Sequence, residues 1–306
     1  MPQARIASLW RYPVKSLLGE SLERVQMSVE GLDGDRAFAL LDASSAAVAS
    51  AKNPRKWAGM LALTATYAAA EALIRLPDKS TIRSDGPDVD AVLSAVLSRT
   101  VRLVREPPTQ LVLERYWPDI DGLAPTAVMA TQRELSVEPD RVVTRRTLGA
   151  RGPGGRFHDA MPVHLVTTAT LAKLADLNPE RGADLRRLRP NLVVDTGDAE
   201  GFVENDWCGR TVTVGEVVLR ISGPTARCIV PALAHGDLPA EEGLVRAVAR
   251  HNRLPLGDNG RYGCAGVYAE VLQPGTVTVG DSVEVGPHQS GLAVSANTPA
   301  PPAPGG

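Results

Sequence analysis

Cys228 is the side chain in this sequence best suited to hold a soft metal ion. It follows Arg227 at the point where a predicted strand opens into a Pro-interrupted loop, residues 223–236. A lone cysteine after a strand is also what a small buried apolar side chain looks like, so its company decides the reading. That company is Lys15, Ser16, Arg36, Thr167, Thr168, Thr170, Arg189 and Asn191, all at predicted strand ends or at a helix start. Cations and N–H groups hold a phosphate, amides and hydroxyls hold the edge of a heterocycle, and a thiolate completes a metal sphere. The set suits an anionic, polar ligand that carries a soft metal.

Other signals are weaker. The threonines crowd the start of a predicted helix, where free N–H groups and the helix dipole favour a phosphate, but plain helix capping explains them too. The run Arg151-Gly152-Pro153-Gly154-Gly155-Arg156 can cradle an anion or be a surface turn. Beside it, His158-Asp159 is placed for proton transfer. The five histidines, His158, His164, His235, His251 and His288, show no ligand-like pairing. Cys208, Cys228 and Cys264 lie far apart with no CxxC pair. The sequence contains no HExxH, no Walker lysine loop, no GxSxG elbow and no GxGxxG opening a βαβ unit.

These residues need strands to position them. Residues 5–15 read as a first strand, with Tyr12-Pro13 forcing an extended exit that places Lys15-Ser16 at its end. A second strand over 22–29 ends at Gly31, and Asp33-Gly34-Asp35 turns the chain into the apolar run 37–41, with Arg36 at its start. Strands at 61–67 and 72–76 precede a helix behind Asp88, where Val89, Val92, Leu93, Val96 and Leu97 recur at helical spacing and Asp88 can cap. A strand over 100–105 closes the first half. Residues 106–125, rich in proline, read as an irregular connection.

The second half offers a strand over 163–167 running into a helix over 168–177. Arg189-Pro190-Asn191 leads into a strand over 192–195, and a hairpin over 212–221 turns at Gly215-Glu216 and delivers the chain to Cys228. A helix over 241–252, a glycine-rich approach over 257–263 and strands over 264–272 and 276–285 complete it. This predicts a β-rich α+β fold with domains at 1–120 and 121–288, and a disordered tail over 289–306.

At 306 residues the chain is long enough for two cores. With 33 basic against 35 acidic residues, net −2 and no block of like charge, it is not built to coat nucleic acid or an anionic membrane. The amino terminus lacks the layout of a signal peptide, and the longest apolar run, 61–74, is shorter than a bilayer span and contains Glu71. A soluble, cytoplasmic protein is expected.

Four motifs in order carry a family resemblance: Tyr12-Pro13-Val14-Lys15-Ser16, then Gly34-Asp35-Arg36, then Arg189-Pro190-Asn191-Leu192-Val193-Val194, then Arg227-Cys228-Ile229. Together they resemble MOSC-domain proteins with an amino-terminal MOSC β-barrel domain, relatives of the molybdenum cofactor sulfurase carboxy-terminal domain and of the mitochondrial amidoxime-reducing component. The resemblance spans residues 5–285 and implies a barrel-like MOSC domain packed with an amino-terminal β-barrel-like domain. It implies a molybdenum–pyranopterin cofactor with the metal on Cys228, and with Lys15, Ser16, Arg36, Arg189 and Asn191 on its phosphate and pterin. Thr167, Thr168 and Thr170 lie where the family has hydroxyl contacts, although that motif is loose here. Cys208 and Cys264 match no family ligand and are kept as structural. A membrane anchor and the cysteine-rich ferredoxin extension that some relatives carry are not expected.

The expected activity is reduction of small N-hydroxylated compounds, N–OH to N–H. Electrons would come from a separate cytochrome, ferredoxin or flavoprotein, and His158 would stand near the proton transfer. Pyridoxal phosphate is not expected, since no desulfurase domain precedes the motifs. The competing expectation is a module that binds the cofactor or carries sulfur without its own turnover. A third is a degenerate barrel that has lost its cofactor.

Overall fold

The computed structural model describes residues 4–108, 111–123, 133–138, 141–148, 155–257 and 260–288. Its centre is a nine-stranded sheet whose order bears little relation to sequence order. The first strand, Arg5–Arg11, runs antiparallel to Leu192–Asp195, with Leu9 opposite Leu192. Leu192–Asp195 lies parallel to Val163–Thr167, which pairs antiparallel with the long strand Arg261–Gln273. Beyond that come Val217–Ala226, Arg210–Val214 and Val283–His288.

The far edge then returns to the first strand. Arg5 bridges Ser282, the Ile6 N–H donates to Asp281 O at 2.9 Å, and the Val283 N–H donates to Ala4 O at 2.7 Å. The sheet thereby closes as a barrel, which leaves these strands no free edge. Side chains alternate along each strand, so one face of each fills the interior. Ile6, Leu9, Val163, Leu165, Leu192, Val194, Val212 and Leu219 form that packed interior.

A second core lies in the first half, where Phe38, Trp57, Met60, Leu63, Ile74 and Leu93 pack with Val14 and Leu17. The segment after the first strand thus has its strand in one core and its Val14 and Leu17 in the other. Pairing also crosses between the halves where Arg24–Ser28 meets Gly275–Thr278. The fold is a strand-rich α+β architecture.

Three local expectations change. Residues 106–125 are not an irregular connection: Leu111–Pro118 is an eight-residue strand paired in full with Arg141–Leu148. Proline misleads there because Pro118 sits at the strand's end. The strand expected over 61–67 begins at Thr64, after a 3-10 turn at Ala58–Ala62. The helix Val89–Leu97 forms, but Asp88 makes no side-chain cap; Asp90, in the first turn, accepts the Leu103 N–H at 2.8 Å instead.

Among the described residues, no helix is long and apolar enough to cross a membrane. The expected tail over 289–306 and most of the glycine run, residues 151–154, lie outside the described residues.

Candidate functional site

Tyr12 leaves the first strand and is clipped to the Gly34–Arg36 turn from both sides. The Tyr12 N–H donates to Asp35 Oδ1 at 2.8 Å, and the Arg36 N–H donates to Tyr12 O at 2.8 Å. Gly34 sits at φ 76°, and a Cβ there would come within 2.3 Å of the Tyr67 ring, so only glycine allows this turn. Asp35 is fully buried and receives Arg36 Nη1 on both oxygens, at 2.7 and 2.5 Å. Arg36 and Arg189 each lie over the Tyr12 ring, with guanidinium carbons 4.5 and 4.3 Å from its centre. Burial pushes the Tyr12 phenol up to about 12, so it stays protonated.

Three residues beyond Tyr12, the buried Lys15 donates from Nζ to Phe157 O at 2.9 Å and to Asp159 Oδ1 at 2.6 Å. Lys52 reaches the same oxygen at 3.0 Å. Ser16 accepts the Ala51 N–H at 3.1 Å and so fixes the loop that carries Lys52. Ser16, Arg36 and Arg189 occupy the left-handed region, at φ 65°, 47° and 56°. That backbone is costly for residues other than glycine and concentrates where side chains must be aimed.

Arg189 comes from the turn that caps the short helix Leu185–Leu188. Its guanidinium makes the Tyr12 contact, but its Nη1 is buried with no hydrogen-bond partner. Burial lowers Arg189 to about 10, which leaves it charged at neutral pH. Asn191 uses its amide on the strands beside it, accepting the His164 N–H at 3.2 Å and donating to Trp10 O at 3.2 Å. It positions the Arg189 turn between two strands.

The Cys228 end is tied to the same turn. Arg227 donates from Nη1 to Leu188 O at 2.9 Å, and its Nη2 lies 2.8 Å from His164 Nε2. His164 Nδ1 lies 3.3 Å from Arg189 O, and since a carbonyl only accepts, Nδ1 carries the proton and Nε2 accepts from Arg227. Burial and Arg227 hold His164 well below its usual value, in keeping with that neutral tautomer. Tyr268 stacks at a tilt on His164, with ring centres 5.8 Å apart. Burial pushes its phenol up to about 12, with Asp159 and Cys228 adding to the rise. Cys228 is a free, half-buried thiol.

Two groups of the expected site residues make contacts with the chain itself. Thr167 and Thr170 donate their hydroxyls to the buried carboxylate of Glu204, each at 2.6 Å, and Thr168 accepts the Thr196 N–H at 3.2 Å. Thr167 shares its strand face with Val163 and Leu165, which point into the barrel, whereas His164 points the other way towards Arg227. The acceptor at this helix start is thus the chain's own Glu204, whose carboxyl burial pushes up.

His158 is the second. Its Nε2 donates to Glu30 O at 3.1 Å, its Nδ1 stands 3.9 Å from Asp35 Oδ2, and burial lowers it to about 4. It is neutral at neutral pH and already committed, so it is not poised to shuttle protons. His235 is likewise lowered to about 4 by burial.

For these buried bases the folded state binds fewer protons than the unfolded chain. Stability from them is full at neutral pH and falls as pH drops from 6.5 towards about 4. Unfolding at pH 5.5 is expected to take up about two to three protons from His158, His164 and His235. Denaturation titrated at pH 7 and pH 5.5 measures this, and equal stability at the two values would contradict it.

The structure brings together Lys15, Ser16, Arg36, Arg189 and Asn191, and adds Tyr12, Asp35, Lys52, Asp159, His164, Arg227 and Tyr268. Tyr12, Asp35 and Arg227 lay within the quoted motifs, and Asp159 stood beside His158. No sequence signal distinguishes Lys52, whose loop is set by Ser16.

The residues fit an anionic ligand. Among the described residues, Lys15 and Lys52 pair with Asp159 and Arg36 with Asp35, and one nitrogen of Arg189 is a buried donor with nothing to donate to. Among the described residues, no group of three or more His, Cys, Asp or Glu side chains is placed to hold a metal ion.

A family model described as the MOSC domain matches residues 154–284, and one described as the MOSC N-terminal beta barrel domain matches residues 3–102. Among solved structures, the YUAD protein from Bacillus subtilis is 13% identical, with 94% of this chain and 97% of that chain covered at a TM-score of 0.44. YiiM from Escherichia coli is 18% identical over 44% of this chain and 58% of its own length, at a TM-score of 0.32. YiiM from Geobacillus stearothermophilus is 17% identical over 56% of this chain and 77% of its own, at 0.31. No curated protein matches the chain.

Proposed function

The chain belongs to the MOSC-domain proteins that carry an amino-terminal MOSC β-barrel domain, and from that premise we propose that it is a molybdenum cofactor-dependent reductase of N-hydroxylated compounds. The observation that carries the proposal is the unpartnered, buried Arg189 Nη1 inside a cluster with more cations than carboxylates, tied through Arg227 to a free thiol. A phosphate supplies the missing acceptor, and Cys228 supplies a thiolate to a metal.

When bound, the molybdenum–pyranopterin would supply a two-electron centre for R–N–OH + 2e⁻ + 2H⁺ → R–N–H + H₂O, with electrons arriving singly from a separate redox protein. The chain's own residues do the holding. Lys15, Arg36 and Arg189 bind the phosphate, Ser16 sets the loop of Lys52, and Asn191 fixes the turn that aims Arg189. Asp35 locks the Arg36 guanidinium so that little side-chain entropy is lost on binding. Arg227 pins the start of the Cys228 loop to the Arg189 turn, so phosphate anchor and thiol share one frame.

The test is reduction of an amidoxime by the purified, cofactor-loaded protein with a reduced viologen dye as donor. Turnover supports the reductase. A loaded protein that reduces no N-hydroxylated compound contradicts it and favours a module that only carries the cofactor.

A pH dependence follows from Lys15, whose burial lowers it to about 8. The ammonium is intact below that value and lost above it. Affinity for inorganic phosphate is expected to be flat from pH 6.5 to 7.5, once phosphate's own ionisation is allowed for. It should then fall about tenfold per unit above pH 8. Calorimetric titration across pH 6.5–9.5 checks this, and an unchanged affinity at pH 9.5 would exclude Lys15 from the anion site.

A further inference from the structure

Asp159 differs from the other carboxylate of the cluster in a way that suggests a role of its own. Asp35 is fully buried, and its two oxygens are taken by Arg36 and by the Tyr12 N–H. Asp159 lies on the loop that enters the Val163–Thr167 strand, and its side chain is 37% exposed, while the two lysines it bridges are 5% and 11% exposed. One oxygen serves both ammonium groups, at 2.6 and 3.0 Å. An outward-lying carboxylate thus closes over two inward-lying cations. Two buried lysines side by side repel each other, so an anion at this point is needed whether or not a ligand is present.

We propose that Asp159 is a placeholder anion: its carboxylate occupies the Lys15–Lys52 site in the ligand-free protein and is displaced by a phosphate group of the incoming ligand. This adds Lys52 to the phosphate site, and it rests on the reading of that site as an anion anchor. A phosphate offers more acceptor oxygens and more charge than one carboxylate oxygen, so it can serve both lysines and reach a further cation at once. Displacement leaves Asp159 free to turn to solvent, which its exposure allows. The fraction of molecules with the lysines already engaged by Asp159 lowers the apparent affinity for any competing anion, and removing the competitor restores it.

The experiment is inorganic phosphate binding by calorimetry at pH 7 on the full chain without cofactor, comparing the parent with Asp159→Asn, Lys52→Met and the double variant. Asp159→Asn is expected to bind phosphate about tenfold tighter than the parent, and Lys52→Met about tenfold weaker. The double variant should lose most of the Asp159→Asn gain. Because Asp159→Asn leaves two lysines without their anion, its thermal midpoint should fall in phosphate-free buffer and recover with phosphate by more than the parent's rises.

Phosphate affinity unchanged or weakened in Asp159→Asn, or a midpoint that phosphate does not restore, overturns the placeholder. So does failure of every variant to bind phosphate. None of these outcomes decides the molybdenum reading, which is measured separately by metal content, and a metal-free protein that shows the Asp159 effect would leave the placeholder standing.

Discussion

Replacing Cys228 by alanine is expected to strip the protein of molybdenum and to reduce N-hydroxy turnover by at least about 100-fold, while leaving the fold intact. The thiol is half-buried, so the lost sulfur costs about 1 kcal/mol or less in packing. Its neighbours hold their places without it. Arg227 is anchored by Leu188 O, by His164 and by the Gly263 carbonyl that accepts its N–H at 2.9 Å, and none of these contacts uses the Cys228 side chain. A folded, metal-free Cys228→Ala protein is therefore the expected product. Cys208 and Cys264 serve as controls. Burial pushes them up to about 11 and about 12, which suppresses the thiolate a metal needs, so Cys208→Ala and Cys264→Ala should keep their molybdenum.

The second large effect is two-sided. Arg189→Met is expected to weaken cofactor retention about 10- to 100-fold, and at the same time to stabilise the ligand-free protein by about 1 kcal/mol. The gain arises because the native residue holds a buried guanidinium nitrogen with no acceptor, a cost that methionine of similar length removes. The loss arises because that nitrogen is a buried donor left free for a ligand. The left-handed backbone at φ 56° is strained for both residues, so it does not enter the difference. Thermal unfolding without cofactor and metal content after expression read the two sides. A variant that loses both stability and metal would make Arg189 a structural residue.

The barrel strands were legible where apolar residues alternate between turn signals, as at Val163–Thr167, Leu192–Asp195 and the hairpin through Gly215. Their order was not, because nothing local tells Arg5–Arg11 to pair with a strand some 190 residues away. Leu111–Pro118 was hidden by its flanking prolines. The cation set was legible as motifs, yet its geometry depends on left-handed backbone at Ser16, Arg36 and Arg189, and none of these is a residue type that announces such a conformation. The threonine contacts were not legible for a physical reason. A helix start wants an acceptor, and the sequence cannot say that Glu204, thirty-four residues beyond Thr170, supplies it. The contacts of His158 were not legible either, since its burial against Glu30 and Asp35 is a tertiary fact.

In the proposed function, Cys228 and the Lys15–Arg36–Arg189 cluster together hold one molybdenum cofactor. The measurement that tests it most directly is molybdenum per chain by elemental analysis, on protein expressed with molybdate in cells that make the cofactor, beside Cys228→Ala prepared in the same way. Near-stoichiometric metal in the parent and its loss in the variant is the result this account predicts. Metal-free parent protein from competent cells, or equal metal in both proteins, would contradict it.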